Sequence, residues 1–292
     1  MLERLILLGT EHGVCDMMLD DIILLLKSRN MARSYVKATA EQWNRRELAA
    51  ARSDYFFVIL PQLLERPLPP KRYWLYFLEQ NLGGKLSHHY NTVTVGRLLA
   101  GSIKSMDYNH SNIKVWEQSV PGLPIHHLPV PPPAEVVGPT RPKEHDVLFY
   151  GALNERRREI LQELRARRPG YRYCTDRQLV GEDLRSAIQC SRVALNIHHY
   201  DGDTVLEQPR LHELMRYSTF IVSEVPGSGQ ESMVDNYRSF VEFVPIVEKD
   251  LSNIDFLLSA IDRLLAEAAV PGCNYNLAYK RLFIQHYPTI GL

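Results

Sequence analysis

The strongest constraint in this sequence is a proline-rich stretch near its middle. Residues 129–143, PVPPPAEVVGPTRPK, hold six of the chain's 18 prolines. Proline fixes φ and lacks the N–H that a helix interior or a central strand needs, so no regular element can run through this stretch. It reads as a linker that divides the 292 residues into two parts of ordinary domain size. The domains expected are residues 1–135 and residues 144–275.

Each part alternates between β-rich apolar runs and longer helical patterns. The first opens with LERLILLG, a strand ending in glycine, and MMLDDIILLLKSRN, a helix. Residues 32–38 read as a strand, EQWNRRELAAARS as a polar helix, YFFVILP as a strand closed by Pro61, and YWLYFLEQ as another strand. TVTVGRLLAGSIKSMDY reads as a helix, NIKVWEQ as a short strand and IHHLPV as the last strand before the linker. Beyond it come strand HDVLFYG, helix NERRREILQELRARR, strand YRYCT, helix GEDLRSAIQCS and strand RVALNIHH. Helix LEQPRLHELMRYS, strands TFIVSE and FVEFVPI, and helices NIDFLLSAIDRLLAEAAV and YNLAYKRLFIQHY complete the chain. The fold class expected is α/β: two Rossmann-like domains with parallel sheets flanked by helices and ligands at the carboxyl ends of the strands.

Charge narrows the function. Lys plus Arg equals Asp plus Glu at 34 each, which removes the basic field of a non-specific nucleic-acid binder, so no nucleic-acid partner is expected and any anion site must be local. Cys15, Cys174, Cys190 and Cys273 form no CxxC pair, so a zinc knuckle and a dithiol redox motif are set aside in favour of free thiols in a reducing cytoplasm. The opening MLERLILLGTEHG lacks the basic flank and cleavage site of a signal peptide, and no run reaches the ~20 apolar residues of a membrane span. A cytoplasmic protein is expected, with any membrane association peripheral.

The most informative stretch is LNIHHYDGDTVLEQPRLHELMRYSTFIVSE, residues 195–224. It sets Arg210 and Glu213 three apart, on one face of a helix start between two buried strands. An arginine there reaches phosphate oxygens in bidentate fashion, aided by the helix N-terminus, and a carboxylate one turn on accepts the hydroxyls of a ribose. A plain intrahelical ion pair, worth about 0.2–0.5 kcal/mol, is the competing reading.

This segment resembles the C-terminal nucleotide-sugar signature of GT-B glycosyltransferases, especially the CgeB-like group. The matching residues are Leu195, Asn196 and His198 in the strand, Arg210 and Glu213 in the helix, and Ser218 with Ile221 to Glu224 leading through the next strand. His212 stands where that family carries an aromatic residue before the glutamate. FYGALNERRREIL, from Phe149 to Leu161, resembles the start of the same domain, where a glycine turn leads to an arginine-rich helix facing the diphosphate. The resemblance spans residues 146–246; the N-terminal part matches in architecture only. It implies donor contacts from Gly151, Asn154, Arg156, Arg157, His198, Glu207, Arg210 and Glu213. It also implies no bound metal or cofactor, a nucleotide-diphosphate sugar as donor substrate, and a last helix, residues 276–292, that packs back on the N-terminal domain.

Several residues carry competing readings. Arg156 and Arg157, taken alone, read as a solvated helix face, because adjacent helical residues point different ways. His198 and His199 would suggest a metal, but adjacent strand residues face opposite sides. Asp201 and Asp203 read as a turn before a cation site. Glu207 and Glu213 stand six apart, not the eight of many retaining GT-B enzymes, so inversion is favoured. An inverting transfer needs a general base from the N-terminal domain. Glu11 or His12, with Asp16 orienting, are the candidates in the loop after the first strand, where a helix-capping role competes. Glu79, Gln80, His88, His89, Tyr90 and the Gly83–Gly84 pair are further loop candidates for acceptor contact.

The function expected is transfer of a sugar from the donor to a glycan, lipid-linked glycan or protein acceptor, in a cleft between the two domains. A non-catalytic nucleotide- or sugar-binding protein on the same scaffold is the alternative. An NAD-dependent oxidoreductase ranks last, because GTEHG and GALNE are not GxGxxG.

Overall fold

The computed structural model describes the chain except residues 11–13, 82–84, 86, 88, 177–178, 201, 203, 228–229 and 287–292, and gives the backbone alone for residues 14–17, 92, 176 and 232. The chain divides into two compact units between Pro131 and Pro132.

In the first unit the elements run β1 (Leu2–Gly9), α1 (Val14–Ser28), β2 (Ala32–Thr39), α2 (Ala40–Asn44), β3 (Tyr55–Ile59), β4 (Tyr73–Phe77), α3 (Thr92–Gly101), β5 (Lys104–Asp107), α4 (His110–Ser119) and β6 (Ile125–His127). The strands form one sheet in the order β2-β1-β3-β4-β5-β6, every pair parallel. A parallel sheet is covered on both faces, which is why β1 reads as an unbroken apolar run with Leu5 to Leu8 fully buried. Ile6, Phe56, Val58, Leu75 and Phe77 pack on one face against Trp43, Tyr90 and Trp116.

Three sequence expectations fail here, each for a local reason. NIKVWEQ is not a strand but the body of α4. Asn109 caps that helix by accepting from the Ser111 N–H at 2.8 Å, and the Trp116 Nε1–H donates to Asp107 Oδ2 at 3.0 Å, which ties the helix back to β5. The helix expected over TVTVGRLLAGSIKSMDY stops at Gly101, and SMD belongs to β5. Gly101 lies against Tyr73, whose Oη would be 2.3 Å from a Cβ there, so glycine leaves room for the buried Tyr73 side chain where the helix ends. The polar helix after β2 ends at Asn44, where the Asn44 carboxamide turns to serve the backbone of Leu63, Glu65 and Arg66.

The second unit holds β7 (His145–Tyr150), α5 (Glu155–Arg167), β8 (Tyr173–Asp176), α6 (Gly181–Gln189), β9 (Ser191–Asn196), α7 (Gln208–Met215), β10 (Phe220–Glu224), α8 (Glu231–Tyr237), β11 (Val241–Val244), α9 (Ile254–Ala268) and α10 (Leu277–His286). Its parallel sheet has the order β11-β10-β9-β7-β8, in register at Val147↔Val193, Phe220↔Val193 and Ser223↔Asn196. α9 lays Ile254, Leu257, Leu258, Ile261 and Leu264 over Val147, Phe149, Val193, Leu195, Phe220 and Val222. Each such side chain contributes about 1.5–3 kcal/mol by leaving water. α8 was not anticipated: its seven residues are too few to show a period.

Of the segment 276–292, expected as a helix returning to the first domain, Leu277–His286 form α10 and pack within the second unit. Lys280 is buried there, and the Phe283 ring packs tilted against Tyr237 and edge-on against Phe240. No helix among the described residues is long and apolar enough to cross a membrane.

Candidate functional site

In the second sheet the chain steps outward from β7 to β8 and then crosses back to β9 on the other side of β7. The crevice where the winding reverses, at the carboxyl ends of β7 and β9, is where open parallel sheets hold ligands. Two helix starts border it: α5, just after β7, and α7, after β9.

Gly151 leaves β7 at φ +110°, a conformation that side chains rarely adopt. A Cβ there would meet Arg210 Nη2 at 2.9 Å, so the missing side chain is the space the Arg210 guanidinium occupies.

The start of α5 is bound inward. Asn154 is its N-cap and accepts from the Arg157 N–H at 3.0 Å, while its Nδ2 donates to the His199 carbonyl. Arg156 is buried and forms a two-pronged ion pair with Glu224. It also donates to the carbonyls of His198 at 2.8 Å and Val247 at 2.7 Å. Arg157 donates to Ile197 O at 3.0 and 2.6 Å, to Ala152 O at 2.9 Å, and lies 3.5 Å from Glu207 Oε1. Burial, with Arg210 adding to it, pulls the Arg157 guanidinium down to about 10, still charged at neutral pH. The expectation that Arg156, Arg157 and Asn154 face a phosphate therefore meets side chains already engaged in tying α5 to the ends of β9 and β10. A solvated helix face is no better a description of the two arginines, which are 6% and 2% exposed.

The start of α7 is different. Arg210 Nε lies 3.3 Å from Glu207 Oε2, and its guanidinium sits 5.3 Å from the Tyr150 ring centre and 6.0 Å from that of Phe149. Among the described residues its Nε and Nη1, both buried, have no hydrogen-bond partner, and neither has the buried Tyr150 hydroxyl. Burial favours the neutral form of Glu207, but the guanidiniums of Arg210 and Arg157 outweigh it and hold the carboxyl below its usual range. Glu213 pairs with Arg216 at 3.6 Å, so the ion pairs run Arg210–Glu207 and Arg216–Glu213.

His198, fully buried at the end of β9, donates from Nε2 to the Glu224 carbonyl at 3.0 Å, and its own N–H donates to Glu224 Oε2 at 2.7 Å. Burial lowers its pKa, so the ring is neutral and Nδ1 is a bare acceptor with no partner. Asn196 Oδ1, one strand turn earlier, is in the same state. The hub of this corner is Glu224, which also accepts from the Val247 N–H at 2.8 Å. In the sequence it showed only as the last letter of a strand motif. Its one signal was an acidic residue closing an otherwise apolar strand, which demands buried donors.

The candidates in the first unit fare unevenly. Glu11 and His12 lie outside the described residues, as do Gly83, Gly84, His88, Asp201 and Asp203; Asp16 is placed only by its backbone in α1. Glu79 accepts from Gln62 Nε2 at 3.2 Å. Tyr90 is buried against Phe77 and Trp116, with ring centres 5.6 and 4.8 Å away, and is a core residue. A cavity of about 450 Å³ opens at the carboxyl ends of β1 and β2, lined by Gly9, Thr10, Thr39, Glu41, Asn44 and Leu63 among others.

No known family model and no curated protein sequence matches the chain. Solved structures do. AviGT4, a glycosyltransferase involved in avilamycin A biosynthesis, aligns over 97% of this chain and 96% of its own at 12% identity and a TM-score of 0.53. Alr3699/HepE from Anabaena, solved in complex with UDP, aligns over 99% and 96% at 10% identity and a TM-score of 0.53. TarM aligns with 86% of the chain at 7% identity and a TM-score of 0.50, the chain spanning 55% of its length. With two parallel sheets flanked by helices and this likeness along its whole length, the chain has the GT-B glycosyltransferase fold.

Proposed function

We propose that the protein is a glycosyltransferase whose donor, a nucleotide-diphosphate sugar, places its diphosphate at the Arg210 guanidinium. The observation that carries this reading is the buried, unpartnered Arg210 Nη1 beside a left-handed glycine at the point where the sheet's winding reverses. A buried cation with unused donors is costly unless something supplies acceptors, and phosphate oxygens supply them in the geometry of a guanidinium. Glu207 keeps Arg210 in place without filling its outer nitrogens. As the sugar–phosphate bond breaks, the charge developing on the leaving diphosphate is met by Arg210 and by the N-terminus of α7. The bare acceptors His198 Nδ1 and Asn196 Oδ1 suit hydroxyl groups of the donor.

The acceptor is a glycan, a lipid-linked glycan or a protein, the transfer inverts, and no metal is required; a base from the loop at residues 11–12 takes the acceptor's proton. HepE, which shares this fold, is solved in complex with UDP, and that supports a nucleotide as a ligand of this chain.

The test is a thermal-shift panel of UDP, GDP, ADP, CMP, dTDP and their sugar conjugates, followed by titration of the best ligand into Arg210→Ala. A ligand at 100 times its Kd raises stability by about 2.7 kcal/mol, and loss of a charge-assisted contact weakens binding by about 1.5–3 kcal/mol. No shift with any nucleotide, or unchanged affinity in Arg210→Ala, overturns the reading; selective binding with no sugar released to any acceptor or to water turns it into that of a binding protein.

A further inference from the structure

The turn between α7 and β10, residues 216–219, has its carbonyls taken by groups from distant parts of the chain. The Val137 N–H, in the proline-rich stretch, donates to Arg216 O at 2.7 Å, and Lys143 Nζ donates to Ser218 O. Lys280 Nζ, on α10, donates to Tyr217 O at 2.9 Å and to Thr219 O at 2.6 Å. The Lys280 side chain is fully buried, an environment that disfavours an ammonium unless its donors are used. α10 also reaches α7 higher up, where the Phe283 ring packs 5.9 Å from His212.

α7 is only eight residues, about 12 Å long at 1.5 Å per residue. Arg210 stands in its first turn, and the clamped turn follows its last residue. A rod this short passes a shift at one end to the other, and a misplacement of ~1 Å is enough to spoil a positioned contact.

We propose that Lys280 is a positioning residue for the donor site: by holding the Tyr217 and Thr219 carbonyls it fixes the C-terminal end of α7, and through that helix the guanidinium of Arg210 over Gly151. The inference rests on the reading of Arg210 as the diphosphate contact. Lys143 and Val137 hold the same turn from the other side, so the position of Arg210 is set jointly by the stretch before β7 and the helix that follows α9.

The test uses the full-length protein and calorimetric titration. UDP, GDP, ADP, CDP and dTDP are titrated into the wild type, and the tightest is carried forward with its parent nucleoside. Lys280→Met is expected to weaken the diphosphate by about tenfold while changing nucleoside affinity by less than about twofold, because only the diphosphate meets Arg210. In an Arg210→Ala background the same substitution is expected to change diphosphate affinity by less than about twofold. Should Lys280→Met fail to fold, Lys280→Gln, which keeps an amide N–H for one carbonyl, carries the comparison. Wild-type binding that survives Arg210→Ala overturns the donor-site reading and this inference with it. Binding lost in Arg210→Ala but retained in the Lys280 variant, lost equally for nucleoside and diphosphate, or lost further in the double variant overturns the positioning role alone.

Discussion

α5 and α7 both begin near the reversal of the second sheet, and both bring arginine into its corner, but the arginines end in opposite conditions. Arg156 and Arg157 have their guanidiniums on Glu224 and on the carbonyls of Ala152, Ile197, His198 and Val247. Arg210 keeps Nε and Nη1 without hydrogen bonds and has a glycine where a side chain would crowd it. The same residue type is thus a rivet at one helix start and a buried cation with unused donors at the other. The difference comes from what each helix start meets: carbonyls and a buried carboxylate at α5, and at α7 one carboxylate, two aromatic rings and a glycine, which leave guanidinium nitrogens without acceptors.

The largest expected effect breaks the rivet. Arg156→Leu leaves Glu224 as an unpaired buried carboxylate and two carbonyls without donors, and is expected to cost about 3–5 kcal/mol in urea denaturation. A stable Arg156→Leu protein that had lost nucleotide binding would reverse the roles assigned to the two helix starts.

Next in size is Gly151→Ala. At φ +110° a side chain costs about 1–3 kcal/mol, and its Cβ pushes on Arg210 Nη2. Stability is expected to fall by that amount and nucleotide affinity to fall with it; full affinity at reduced stability would separate Gly151 from the Arg210 contact.

The smallest effect extends the comparison to the amino ends of the same strands, where the buried cations are lysines. Burial lowers Lys280 to about 7 and Lys143 to about 8 from the usual 10.5. Between pH 7 and 10 the unfolded chain holds protons that the folded one has released, so stability rises with pH across that window. The share of this gain expected from Lys280 between pH 7.5 and 9 is about 1–2 kcal/mol, and Lys280→Met should remove it, leaving the smaller share that belongs to Lys143. Arg157, at about 10, keeps nearly all of its charge up to pH 9, so an equal gain surviving in that variant would remove the distinction between the two ends.

Most strands of both sheets were legible because buried parallel strands are continuous apolar runs, as in LILLG and VLFYG; β5, KSMD, was not, because its four residues carry no such run. α4 was misread because IKVW alternates over too few residues to separate the two periods, and Asn109 and Asp107 decided between them. The place of Arg210, after a strand and at a helix start, was legible. The role of Arg156 was not, since only contact with Glu224, 68 residues away, turns it inward.

The sequence by itself determined two α/β domains and most of their strands, because hydrophobic period, proline and glycine act over a few residues. Tertiary structure alone decided which arginine has its donors taken by the protein and which keeps donors unused, and which carbonyls the lysines of the linker and last helix would take. Those choices depend on unpaired groups brought together from distant parts of the chain, where a buried charge must find every partner it lacks.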